Sequence, residues 1–254
     1  MQIKNNTILI TGGGSGIGRA LAEAFHAEGN QVIIAGRRKA ALEEVTTANP
    51  GMRSAVLDIE NTEAIKTFAA KLLTDFPKLN TVIHNAGIMQ VEDLLEGALE
   101  TAEATIATNL LGPIRLNAAL IAHFAKQPAA TIITVSSGLA FVPLAATPTY
   151  CATKAAIHSY TQSLRYQLQN TSVQVMELAP PYVQTGLMGA HQHEDPMAMP
   201  LKEFIAEVMN IIATNPGATE ILVERVKPLR DAEASGNYAT FFKNFNDAMS
   251  AARH

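Results

Sequence analysis

The stretch TPTYCATKAA at positions 147–156 sets Tyr150 four residues ahead of Lys154. In a helix that spacing puts both side chains on one face. An ordinary phenol titrates near pH 10, too high to pass protons at neutral pH. A nearby ammonium favours the tyrosinate and lowers that value. A phenol tuned this way gives a proton to a carbonyl oxygen as hydride reaches the carbon, or takes one from an alcohol in reverse. A Tyr-x-x-x-Lys pair recurs by chance, so it gains weight only from its company.

That company begins with TGGGSGIG at 11–18, between a strand-like run and a helix-like one. Gly12, Gly16 and Gly18 permit a tight turn and a close backbone approach to a phosphate. The helix starting near Gly16 would aim free N–H groups and its positive dipole end at a pyrophosphate. Gly12, Gly14, Ser15, Gly16, Ile17 and Gly18 are therefore candidate cofactor contacts. An NAD site carries a carboxylate about twenty residues further on, for the ribose 2′-hydroxyl. Here the run is AGRRK, with Gly36 followed by Arg37 and Arg38. Paired guanidinium groups suit a 2′-phosphate, so NADP(H) is favoured over NAD(H). The plainer reading leaves both arginines solvated at a helix start. Ser15 could add a hydroxyl to the same phosphate.

Asp58, next to Ile59, could accept from an adenine amino group or could equally cap the following helix. Asn85, Ala86 and Gly87 end the fourth strand-like run, where Asn85 could tie strands together and the small residues leave room for a ribose. A plain turn is the alternative.

These motifs need elements to hold them. TILIT (7–11), QVIIAG (31–36), RSAVLD (53–58), TVIHNAG (81–87), TIITVSS (131–137) and SVQVMELA (172–179) read as buried parallel strands. Between them run helical patterns over 20–28, 39–47, 62–76, 100–126 and 155–169. This alternation predicts an α/β fold with a parallel sheet. Residues 1–254 read as a single domain. A mobile substrate loop is expected at about 186–200, followed by a helical extension over 201–254, with helices at 201–214, 219–233 and 238–249.

With 254 residues, 48% hydrophobic and 17% charged, one soluble domain is expected. A net charge of -4 gives no reason to expect a nucleic-acid or anionic-membrane partner. No run approaches the ~20 apolar residues of a membrane span. The N-terminal stretch lacks a signal peptide's apolar core, and one cysteine excludes an internal disulfide. A reducing, cytoplasmic setting follows.

The chain resembles the short-chain dehydrogenase/reductase family in its compact single-domain branch. The resemblance rests on TGGGSGIG, NAG, Asn109 in ATNLLGP, Ser137 in TVSSG and the pair in YCATK, in family order from about residue 7 to 185. It implies a doubly wound Rossmann-type sheet of order 3-2-1-4-5-6 and nicotinamide-dependent redox at a ketone, aldehyde or secondary alcohol. By the same resemblance Tyr150 is the general acid/base. Lys154 lowers its pKa and holds the nicotinamide ribose. Ser137 orients the substrate oxygen. Asn109 kinks the long helix and holds a water that links Lys154 to solvent. Val183 and Thr185 match positions that contact the nicotinamide carboxamide, and Pro180 is a further cofactor-binding candidate, although Pro181 replaces the family's flexible glycine with a stiff residue.

The C-terminal region departs from many relatives, in which a seventh strand and a Gly-Gly signature lie at a tetramer interface. Neither is legible here, so a homodimer through the 100–126 and 155–169 helices is expected, with a tetramer possible. PPYVQT and the tail resemble the oxidoreductases related to the D-alanylation operon. His191 and His193 in HQHED suggest a metal only weakly, and none is expected. Leu187, Met188, Met197 and Met199 suit an adaptable apolar lid or simple packing. Cys151 reads as a small buried helix residue. Two rivals stand beside an NADP(H)-dependent oxidoreductase. A sugar-nucleotide epimerase or dehydratase needs a larger C-terminal substrate domain than this chain offers. An NADP(H) sensor without turnover would be expected to lack part of the Asn/Ser/Tyr/Lys set.

Overall fold

Strand β1 (Thr7–Thr11) shows in five residues why this chain makes a sheet covered on both sides. Successive side chains of a strand point to opposite faces. Ile8 and Ile10 enter one apolar cluster, and Leu9 enters another. β2 (Gln31–Gly36) repeats the pattern, with Val32 and Ile34 on the first side and Ile33 on the second. Such strands are stable only between two layers of helices.

The structure, a computed structural model, describes residues 1–97 and 99–251. The last three residues of the expected 201–254 extension lie outside the described residues. Further strands are β3 (Arg53–Val56), β4 (Thr81–His84), β5 (Ala130–Val135), β6 (Val173–Leu178) and β7 (Glu220–Ile221). All pair in parallel in the order β3-β2-β1-β4-β5-β6-β7. On the first face lie α1 (Gly16–Ala27), α2 (Lys39–Ala48) and later α7 (Leu201–Thr214), which bury Phe25, Leu42 and Phe204. On the second lie α3 (Thr62–Asp75), α4 (Glu100–Ile106) continuing into α5 (Gly112–Phe124), and α6 (Pro148–Leu168). They bury Ile65, Leu116, Phe124 and Leu164. Each such side chain contributes about 1.5–3 kcal/mol. Two last helices, α8 (Lys227–Arg230) and α9 (Tyr238–Ala251), close the described chain.

Two expectations need correction. Residues 219–233, read as one helix, instead form strand β7, a 3-10 turn at Glu224–Val226 and α8. The seventh strand absent from the sequence reading is therefore present. The run EILV is apolar enough to serve as an edge strand, and β6 supplies the missing partner through Glu177 N–H to Thr219 O and Ala179 N–H to Ile221 O. Pro228 then sits in the first turn of α8, where a proline is tolerated. The second correction concerns the helix carrying the Tyr/Lys pair. It begins at Pro148 rather than 155, as a proline at the first turn favours.

The loop at 186–200 is also more ordered in its bonding than its sequence suggests. It holds a 3-10 turn at Ala190–His193, and Val183 pairs with Met199 as an isolated parallel bridge. The Tyr182 hydroxyl donates to Asp195 at 2.9 Å. Among the described residues no helix is long and apolar enough to cross a membrane.

Candidate active site

A cavity of about 980 Å³ opens beyond the C-terminal ends of β1, β4, β5 and β6. This is where open parallel sheets take ligands. One end is the glycine turn. Gly12 has φ +69° and Gly16 φ +52°, which favour glycine. A Cβ on Gly18 would stand 2.4 Å from the Gly12 carbonyl oxygen and 2.3 Å from Asn85 Nδ2. Glycine there lets α1 press its N-terminus against β1. Asn85 locks the same corner. Its Nδ2 donates to Thr11 O, and Thr11 Oγ1 accepts from the backbone N–H of Asn85 and of Ala86, each at 3.1 Å.

At the mouth, Arg38 Nη2 donates to Ser15 Oγ at 2.9 Å. Arg37 also lines the cavity and pairs with Glu60 at 3.0 Å. The two arginines thus differ: Arg38 stands with Ser15 at the phosphate end, and Arg37 has a carboxylate partner. Asp58 does not line the cavity, although Leu57 and Ile59 do. Its carboxylate accepts from the Glu60 backbone N–H at 3.1 Å, as in a local turn.

The other end gathers the groups that move protons. Ser137, Tyr150 and Lys154 all line the cavity, and all are buried. Ser137 Oγ caps the short turn at Gly138–Ala140 by accepting from Leu139 N–H at 3.1 Å. It also stands close enough to the Tyr150 phenol to lower its pKa. Ser136 points elsewhere, donating to the Glu177 carboxylate at 2.5 Å. Lys154 Nζ lies 5.5 Å from the Tyr150 ring centre and donates to Val135 O at 2.8 Å. Gly87 keeps this corner open, since a Cβ there would meet Asn109 Oδ1 at 3.3 Å and Lys154 Nζ at 3.7 Å.

Asn109 does not line the cavity but stands one layer behind it. It occupies a π-helical stretch, Ala107–Leu111, between α4 and α5, a distortion that often marks functional sites. Its Oδ1 accepts from Ile88 N–H, and its Nδ2 donates to Ile88 O, both at 2.9 Å. A further bond at 3.3 Å reaches Thr153, next to Lys154. Gly18 is likewise a supporting residue and not a lining one.

Burial sets the electrostatics. It pushes the Tyr150 phenol above its ordinary value, and the nearby Ser137 hydroxyl offsets only part of this. Burial also lowers Lys154, to about 8. In the protein alone, burial works against the lowering that a neighbouring ammonium would give. Desolvation disfavours the charged form of both groups.

Residues 6–196 match the family model described as short chain dehydrogenase. The chain belongs to the short-chain dehydrogenase family. It is 39% identical over 251 residues to DltE of Bacillus subtilis, an uncharacterized oxidoreductase, covering 97% of this chain and 98% of that one. This agrees with the likeness to the D-alanylation-operon oxidoreductases. Among solved structures, a short chain dehydrogenase from Burkholderia cenocepacia in complex with NADP superposes with a TM-score of 0.82 at 26% identity, covering 94% of this chain and 97% of that one. One from Burkholderia phymatum in complex with NAD has the same fold, with a TM-score of 0.79 at 20% identity and 92% and 96% coverage. Short-chain dehydrogenases thus occur with either dinucleotide, and the choice must be argued from each chain's own residues.

In this short-chain dehydrogenase Gly12, Gly14, Ser15, Gly16, Ile17, Ile59, Asn85, Ala86, Gly87, Pro180, Val183 and Thr185 line the cavity. Gln192, which the sequence reading passed over, donates to Val183 O at 2.7 Å and accepts from Met188 N–H at 2.8 Å, pinning the 186–200 loop to the site. Glu177 was also missed. Its carboxylate is 1% exposed and accepts from Ser136 and from His158 Nδ1, the latter at 2.8 Å. A lone acidic residue in the apolar run VMEL was the available signal. His158, Glu177 and Glu220 bring ligand atoms within 4.8 Å of one another. Each is engaged, since a fork of two bonds from Arg230 holds Glu220. Phe245 and Met249 of α9 line the cavity too.

Proposed function

We propose that this short-chain dehydrogenase is an NADPH-dependent carbonyl reductase, reversible as an alcohol dehydrogenase. The observation that carries the reading is the convergence of Ser137, Tyr150 and Lys154 on one end of a cavity whose other end holds Arg38 and Ser15. The cavity fits a dinucleotide by its own construction. A glycine turn at a helix N-terminus, with positions that a Cβ would fill, suits a pyrophosphate. Arg38 and Ser15 would hold the 2′-phosphate, and Gly87 leaves space for a ribose beside Lys154. Val183 and Thr185 would face the carboxamide.

When bound, the nicotinamide supplies the hydride for reduction or takes it in oxidation. The chain's own residues do the rest. Ser137 Oγ donates to the substrate oxygen and fixes its position. Tyr150 Oη gives its proton to that oxygen in reduction. A phenol raised by burial remains protonated at neutral pH and so suits the acid role. Lys154, held by Val135 O, keeps a positive charge near the oxygen as negative charge develops there. Asn109 holds Ile88 and Thr153 and thereby the wall behind Lys154.

We further propose that the protein acts in the cytoplasm as a homodimer through the α4–α5 and α6 faces. Exposed Ile106 and Leu111 on the first and Tyr166 on the second support that surface. The test of the activity follows NADPH and NADH absorbance with a panel of aldehydes, diketones and aryl ketones. Turnover with NADPH well ahead of NADH is expected. Tight NADPH binding without turnover on any carbonyl would favour a sensor instead.

A further inference from the structure

The region past β7 contributes to the cavity in a way that its sequence does not announce. α9 presents Phe241, Phe242, Phe245, Asn246 and Met249 as a partly buried stripe, while Lys243, Asn244, Asp247 and Ala248 face solvent. Phe245 and Met249 are one turn apart, on one face. Both line the cavity. Both also pack against the cluster of Met89, Leu144, Tyr150 and Cys151, so α9 meets the apolar shell around the proton-carrying phenol.

Between these two residues, Asn246 fixes the helix. Its Oδ1 accepts from Ala145 N–H at 2.7 Å, and its Nδ2 donates to Pro143 O at 3.0 Å. The segment it grips leads directly into α6, where Tyr150 stands. An amide that satisfies both a donor and an acceptor of one loop sets position and orientation together.

The charge inventory of the cavity narrows what this wall can receive. Among the described residues that line it, the charged side chains are Arg37, Arg38 and Lys154, His193 adds one imidazole, and no carboxylate is present. The arginines belong to the phosphate end, and Lys154 belongs to the Tyr150 corner. Around Tyr150 the wall is Met89, Leu139, Leu144, Met188, Phe245 and Met249. A charged substrate group set against these apolar side chains would be desolvated with no charged partner among them, at high cost.

We infer that α9, latched by Asn246, forms the specificity wall of the substrate site, and that this wall selects uncharged carbonyl compounds bearing an apolar ring or chain. The inference rests on the carbonyl-reductase reading and adds to it the substrate class and the residues that set it. Met249 and Phe245 provide the apolar contact, and Asn246 is a positioning residue.

The test compares the full-length parent with Phe245→Ala, Met249→Ala and Asn246→Ala. Each is assayed with NADPH and an aryl alkyl ketone, a three-carbon ketone and a keto acid. NADPH affinity and melting temperature are measured alongside, and Phe245→Leu replaces the alanine variant if that does not fold. The parent should prefer the aryl ketone over the keto acid. The alanine variants should lose about tenfold or more in kcat/KM for the aryl ketone, the scale of a lost apolar contact. The three-carbon ketone should lose clearly less than the aryl ketone, and NADPH affinity should hardly change. Unchanged aryl-ketone kinetics, or a parent that prefers the keto acid, would overturn the inference and leave the reductase reading intact. If the parent reduces no carbonyl, calorimetry of the aryl ketone on the NADP⁺-loaded protein decides. Weaker binding by the variants would uphold the wall while the reductase reading falls. No binding by the parent would overturn both.

Discussion

Lys154 Nζ donates to the Val135 carbonyl at 2.8 Å and stands 5.5 Å from the centre of the Tyr150 ring, with both side chains buried. The lysine is thus tied to β5 while facing the phenol on its own helix. Its charge has no carboxylate partner in the described cavity, and burial lowers it to about 8.

A buried cation of this kind should cost stability. The unfolded lysine holds its proton up to its ordinary value, and the folded one releases it near 8. Below 8 the folded state carries a charge it disfavours, so the cost is full at neutral pH and fades as pH rises toward the unfolded value. Two to three pKa units correspond to about 3 kcal/mol, on the order-of-magnitude scale of 1.4 per unit. Lys154→Met should therefore lose turnover but raise the melting temperature at pH 7 by several degrees, with the gain shrinking by pH 9.5. Differential scanning calorimetry across that range checks it.

The same pair fixes the pH dependence of turnover. Reduction uses the protonated phenol, which burial stabilises, together with the lysine charge. Its rate should hold through neutral pH and fall as pH rises through about 8. Oxidation needs the tyrosinate and should rise with pH over the same span. Initial rates in both directions from pH 6 to 10 give the test.

Arg37 and Arg38 should separate. Arg38→Ala removes the guanidinium that stands with Ser15 and should weaken NADPH binding about 10- to 100-fold, with little effect on NADH. Arg37→Ala breaks an exposed pair with Glu60 and should change either affinity only a few-fold. Titration of each variant with both dinucleotides measures the difference.

Glu177 joins the two elements that carry the proton-moving groups, since it accepts from Ser136 on one side and from His158 of α6 on the other. Glu177→Leu would leave the buried Ser136 hydroxyl without its carboxylate, at about 1–3 kcal/mol, and would take the same partner from the half-buried His158. A fall in melting temperature of several degrees is expected, with kcat lowered because Ser137 follows Ser136. Glu177→Gln keeps an acceptor for Ser136 and should recover part of the kcat.

Much of this was legible in the sequence where local chemistry dictates structure. β1 and β2 were readable because buried parallel strands are nearly continuous apolar runs. The glycine turn was readable because backbone conformation and close approach both require glycine. Tyr150 and Lys154 stood out by their spacing, while Ser137 and the roles of all three came only with the family resemblance. β7 was not, because two residues become a strand only through the free edge of β6. Phe245 and Met249 were not, because their apolar stripe is diluted by charged neighbours and gains meaning only where α9 meets the Tyr150 cluster. The raised phenol escaped for a similar reason: residue spacing reports the neighbouring charge but not the depth of burial.

The most direct test of the account is a single-turnover measurement with NADPH and an aryl ketone, both saturating, on the parent and on Tyr150→Phe. The variant should bind NADPH with unchanged affinity and oxidise it about 10²- to 10⁴-fold more slowly, the usual contribution of a positioned general acid. A variant that turns over at the parent's rate would contradict the assignment of Tyr150 as the proton donor, and with it the mechanism built on this site.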